Sequence, residues 1–122
     1  MRFATPALTL SLLLCSASSF ALDCEKAVTT PDLNACAARE QKAVEANLNQ
    51  VYQRVLKSVA APKVRVQFVA AQRAWIKFRE ADCKAVYEQH ADGTIRTVMY
   101  LGCMQNRAAT RIKELEMFSG EG

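Results

Sequence analysis

Gln72, Trp75, Arg79 and Cys83 are the residues of this chain whose types and spacing first invite a chemical reading. At about 100° per residue they fall in one narrow stripe of a helix. Val64, Phe68, Ala71 and Val86 lie on the same side, so an amide, an indole, a guanidinium and a thiol point toward an expected core. A guanidinium taken out of water requires partners. The sequence offers Glu40, Gln41 and Glu45 on or beside the inner stripe of an upstream segment, and Arg111 mid-stripe on a downstream one. Such a cluster either binds a ligand or fastens helices to one another. Carboxylates that work as acid and base need a cleft, and a slim bundle offers little room for one. The expected role of Gln72, Trp75, Arg79, Arg111, Glu40 and Glu45 is therefore a structural polar network.

Other candidates are weaker. His90 is the single histidine, with no second imidazole or carboxylate cluster nearby to complete a metal site or a triad. Met99, Met104 and Met117 could hold a soft metal, but their spacing fits core or edge packing better. Trp75, Phe68 and Tyr52 read as an aromatic cluster. The chain has neither a nucleophile elbow nor a glycine-rich phosphate loop. These features predict no enzyme, no cofactor and no bound metal.

The elements that must position these residues begin after a leader. Arg2, the apolar run Ala7 to Cys15 and the small-x-small site Ser19-Phe20-Ala21 predict a signal peptide over 1–21, with a mature chain from Leu22. The apolar run is too short to span a bilayer. Leu14 is bulky where acylation of Cys15 wants a small residue, so no stable membrane anchor is expected. Residues 22–122 then suffice for one small domain. Without Arg2, fifteen basic and twelve acidic side chains remain, a net charge of +3. The basic residues read as scattered among Glu and Asp, which argues against nucleic acid as a partner. Cys24, Cys36, Cys83 and Cys103, an even set in a small exported domain, predict two disulfides in an oxidising compartment, periplasmic or secreted.

Three helices are predicted, at about 31–59, 63–89 and 97–117. Thr30 can cap the first, Pro31 suits its first turn and Asp32 complements its dipole. Ala60-Ala61-Pro62 makes a corner. His90-Ala91-Asp92-Gly93-Thr94 ends the second helix, with Gly93 suited to a left-handed backbone. The tail from Ser119 is expected to fray. The fold class is thus an all-α, antiparallel, up-down-up three-helix bundle. In that layout Cys36 lies level with Cys83, and Cys83 with Cys103, while Cys24 precedes the first helix. All four gather at one end. Cys24–Cys36 with Cys83–Cys103 is the preferred pairing, and Cys36–Cys83 with Cys24–Cys103 is the alternative.

Gln72-x-x-Trp75-x-x-x-Arg79-x-x-x-Cys83, followed by Gly93, Cys103 and Thr110-Arg111-Ile112-x-x-Leu115, resembles the LprI-like lysozyme-inhibitor N-terminal domain. Cys24…Cys36 and Leu48-Asn49-x-x-Tyr52 fit the same pattern, so the resemblance covers nearly the whole mature chain. It implies a small, helical, disulfide-bonded exported domain in a family named for a lysozyme-inhibiting lipoprotein. The function expected from it is an exported, non-enzymatic binding protein that inhibits a lysozyme by filling its cleft. A periplasmic adaptor that binds another protein through exposed helix faces is the alternative, and small-ligand or metal binding around Arg79 or the methionines is a third reading. The loop carrying His90, Asp92, Gly93 and Thr94 is the expected partner-binding element.

Overall fold

The computed structural model describes residues 21–119. The tail 120–122 and nearly all of the expected leader, with Cys15, lie outside the described residues. A short 3-10 turn, Cys24–Lys26, precedes helices α1 (Thr30–Ser58), α2 (Pro62–Gln89) and α3 (Arg96–Ser119). Helix α1 starts one residue earlier than expected because Thr29, and not Thr30, is its cap. The Thr29 hydroxyl accepts the Asp32 backbone N–H at 3.3 Å and donates to the Asp32 carboxylate at 2.6 Å. That reciprocal pair satisfies one of the free N–H groups at the helix start. Helix α3 runs further than expected, through Ser119, whose hydroxyl donates to the Glu116 carbonyl at 2.8 Å.

Side-chain pairing fixes the topology. Tyr52 stacks on Phe68 with ring centroids 5.4 Å apart, and Arg79 reaches Glu45, so α2 runs antiparallel to α1. Phe68 meets Phe118 at 4.9 Å, Arg107 pairs with Asp82 at 2.7 Å, and Cys83 is bonded to Cys103, so α3 runs antiparallel to α2. The result is an all-α, up-down-up bundle with two disulfides. Helices α1 and α3, parallel to each other, approach most closely. Fully buried Ala108 suits that close approach, and Gln105 donates across it to the Ala37 carbonyl at 2.9 Å. Helix α2 reaches α1 mainly through long side chains.

Leu48, Val51, Val55, Phe68, Ala108 and Leu115 form the core, with Tyr52, Trp75 and Ile112 against it. This core occupies the half of the bundle nearer the α1–α2 corner. The expected stripes are narrower than periodicity implied. Leu33, Val64 and Ala71 are exposed, because each lies toward the edge of its helix face or near its end. Phe118 adds a further ring beside Phe68, and Trp75, packed against the same core, also lies beside two arginines.

Candidate functional site

The bundle carries two places where polar groups converge, one inside it and one at its tip. Inside, Gln72 and Arg79 are both 6% exposed. Arg79 donates to Glu45, which also accepts from Gln41 Nε2 at 2.8 Å. The Arg79 guanidinium lies over the Trp75 ring, 4.6 Å from its centroid, and that of Arg111 is 5.9 Å from the same centroid. Arg111 Nε donates to Gln72 at 2.9 Å, and its NH1 to Glu114 at 2.9 Å. The tryptophan thus lies beside two guanidinium groups, each held by a carboxylate. Glu40 does not join them. It is exposed, since Gln41 and Glu45, one turn apart, occupy the inward stripe. Glu114 takes the second carboxylate position, one turn beyond Arg111 on α3. Arg79 Nε and Gln41 Oε1 are buried without a hydrogen-bond partner.

This cluster joins all three helices at mid-height. The described surface carries open grooves. One of about 310 Å³ runs between α2 and α3 beside Phe68 and Arg111. Another, of about 430 Å³, passes over Tyr87, Tyr100 and Met104. The methionines are not gathered. Met104 is buried, whereas Met99 and Met117 are exposed and stand about 27 Å apart along α3 at 1.5 Å per residue.

At the tip, Cys24 is bonded to Cys36 and Cys83 to Cys103, with Cα–Cα distances of 5.7 and 5.6 Å. The alternative pairing is not formed. The Gln105–Ala37 bond, two residues from Cys103 and one from Cys36, puts both bridges at the same end. Arg39 ties the N-terminal arm down further by donating to the Leu22 carbonyl at 3.2 Å. Between α2 and α3, His90 closes the helix with its Nδ1 2.9 Å from the Val86 carbonyl. The turn is then held by Gly93 N–H to the His90 carbonyl at 2.9 Å and by Arg96 to the Ala91 carbonyl at 3.3 Å. Arg96 also lies over Tyr87, 4.2 Å from the ring centroid. Asp92, Gly93 and Thr94 are exposed and His90 is half-buried.

Gly93 is not left-handed, contrary to expectation. Its φ lies outside the positive region, and an added Cβ would meet the His90 carbonyl oxygen at 3.5 Å, an ordinary contact. The reason is that His90, at φ −107° and ψ 22°, ends the helix without a left-handed residue. Gly93→Ala is therefore expected to change stability by no more than about 0.5 kcal/mol, as measured by urea denaturation. Sequence reasoning also passed over Ile95 and Val28, large apolar residues left exposed in the inter-helix loop and the N-terminal arm. A hydrophobic residue outside the helical stripe was the available signal.

Fold and tip together describe a small disulfide-stapled helical domain that presents a braced loop at one end. The family model for the lysozyme inhibitor LprI matches residues 23–115, and the chain belongs to that family. It is similar to an uncharacterized protein of Rhizobium meliloti (strain 1021), 33% identical over 95% of this chain and 94% of that one. A solved DUF1311 family protein from Pseudomonas putida KT2440 shares the fold. It superposes with a TM-score of 0.67 at 20% identity, over 82% of this chain and 100% of that one. The two disulfides and the family point to a compartment outside the cytoplasm. No helix among the described residues is long and apolar enough to cross a membrane.

Proposed function

We propose that the protein is an exported, non-enzymatic binding protein that inhibits a lysozyme, with the His90–Thr94 loop occluding the sugar-binding cleft. Family membership supports that class of partner. The observation that carries the loop assignment is its bracing. The Cys83–Cys103 bridge, the Arg96–Tyr87 stack and the Arg96–Ala91 bond hold a short turn whose tip, Asp92-Gly93-Thr94, is exposed to solvent. A preordered protruding turn loses little entropy on entering a cleft.

Charge placement supports the same end. Nine of the twelve acidic residues fall within 23–45 and 80–92, the segments nearest this tip together with the Glu45 pair. Lysozymes are commonly basic, and an acidic end supplies steering that the net charge of +3 does not. The test is a muramidase assay with several lysozyme classes. The protein is expected to slow lysis at micromolar concentration, and Asp92→Ala/Thr94→Ala to weaken inhibition at least about tenfold with helicity unchanged. No inhibition of any class would refute the proposal. Retention of a partner other than a muramidase from a periplasmic extract would favour an adaptor, a role for which exposed Ile76 and Phe78 on α2 are suited.

A further inference from the structure

The acidic residues crowd toward one end because the rest of the chain excludes them. From Ala46 to Phe78 there is no Asp or Glu, while Arg54, Lys57, Lys63, Arg65, Arg73 and Lys77 are all exposed. The apparent scatter of charge along the sequence is thus a segregation in space. This segment is the second half of α1, the corner and the first half of α2. The nearest acids on α3 are engaged, Glu114 by Arg111 and Glu116 by Arg54.

The same end is unusually apolar for a surface. Its corner, Val59-Ala60-Ala61-Pro62, contains no polar side chain, and Ala60, Ala61 and Pro62 are exposed. Val66 and Met117 are 65% exposed, Phe118 54% and Val64 44%. Val64 and Phe118 line one groove, and Pro62, Lys63 and Val66 line the hollow beside it. Exposed apolar side chains ringed by cations suit an interface between water, negative charge and hydrocarbon.

We infer that this corner end docks on the surface of a bilayer containing anionic phospholipid. Val64, Val66 and Phe118 enter the boundary between headgroups and acyl chains, and Lys57, Lys63 and Arg65 pair with phosphates. Two observations favour lipid over a second copy or an acidic protein. Exposed Lys57, Lys63 and Arg65 repel the same residues of another copy docked end to end. The exposed Val64, Val66 and Phe118 beside the cations match hydrocarbon beneath a layer of phosphate, which a purely acidic polypeptide does not offer. Helix α2, with 28 residues, places this end about 42 Å from the His90–Thr94 loop, so docking leaves that loop free.

The experiment is co-sedimentation of the disulfide-bonded protein with vesicles of phosphatidylcholine, with and without a quarter phosphatidylglycerol, in about 0.1 M salt. Binding is expected to be at least about tenfold tighter to the anionic vesicles and to weaken as salt is raised. Lys57→Glu/Lys63→Glu should reduce it at least about tenfold, and Val66→Ser about threefold, with circular dichroism unchanged in both. Equal binding to the two vesicle types, no binding to either, or insensitivity to the charge reversal would overturn the inference. So would equally tight binding to soluble polyglutamate, which would assign the surface to an acidic polypeptide. Lysozyme inhibition, measured in parallel, reports separately on the loop.

Discussion

Arg79→Ala is expected to lower the free energy of unfolding by about 3 kcal/mol, and the melting temperature by roughly 10–20 °C. Arg79 is 6% exposed, and its guanidinium holds Glu45 and lies over the Trp75 ring. Truncation removes both contacts. Glu45 keeps its charge at a half-buried position with only Gln41 as a hydrogen-bond partner, and a void opens beside the indole. The neighbouring pair behaves differently. Glu114 is 46% exposed on its side chain, and Glu114→Ala should change stability by no more than about 0.5 kcal/mol. A buried pair resists losing one member more than it resists losing both. Glu45→Leu/Arg79→Met is therefore expected to recover most of the loss, the more so because Arg79 Nε already lacks a partner. Thermal and urea denaturation of the three variants checks the argument. A single-mutant loss below about 1 kcal/mol would mean that Arg79 is not a fastening.

The second large effect belongs to the bridge beneath the loop. Cys83→Ser/Cys103→Ser opens a closure of 20 residues, which the chain-entropy model sets at about 3 kcal/mol. The core nearer the corner is untouched, so helicity should persist at room temperature. What changes first is the 90–95 turn, which becomes open to limited proteolysis between α2 and α3. Inhibition of lysozyme, where it depends on a preordered turn, should fall at least about tenfold in the same variant. Unchanged inhibition in a variant that is cleaved faster would detach the activity from the loop. The Cys24–Cys36 bridge spans only 12 residues, and its loss should release the N-terminal arm with a smaller effect on the melting temperature.

Much of the frame was legible because it rests on local signals. Pro31 and Pro62 open helices, the apolar stripes continue unbroken between them, and equal depth from the corners gathers the cysteines at one end, though it brings Cys83 level with Cys36 as well as with its partner Cys103. Arg79 was identified as a group in need of a partner from its position on a stripe alone. Which carboxylate answered it was not legible. Glu40 and Glu45 are five residues apart, and only the rotation of α1 against α2 decides between them. The same holds for Phe118, near the end of its helix, whose role depends on Phe68 of another helix being level with it. Thr29 and Thr30 are both competent caps, and the choice between them turns on a single backbone angle. The segregation of charge escaped for another reason. Helices that fold back on one another put residues distant in sequence at one end, so an acid-free stretch becomes a surface only once the topology is known. Here the stretch was in plain view and its meaning was not.

The ordinary backbone of His90 and Gly93 in the turn bears on how such a protein can diversify. Gly93 does not take a conformation that glycine alone adopts, and the core cluster includes neither Asp92 nor Thr94. The ends of the turn are held by a covalent bridge, an arginine on an aromatic ring and two helices, none of which consults the identity of the tip. Substitutions there are free to accumulate without passing through an unfolded intermediate sequence. One frame can therefore be retargeted by a few residues at its tip, and relatives with the same helices and bridges need not share a partner.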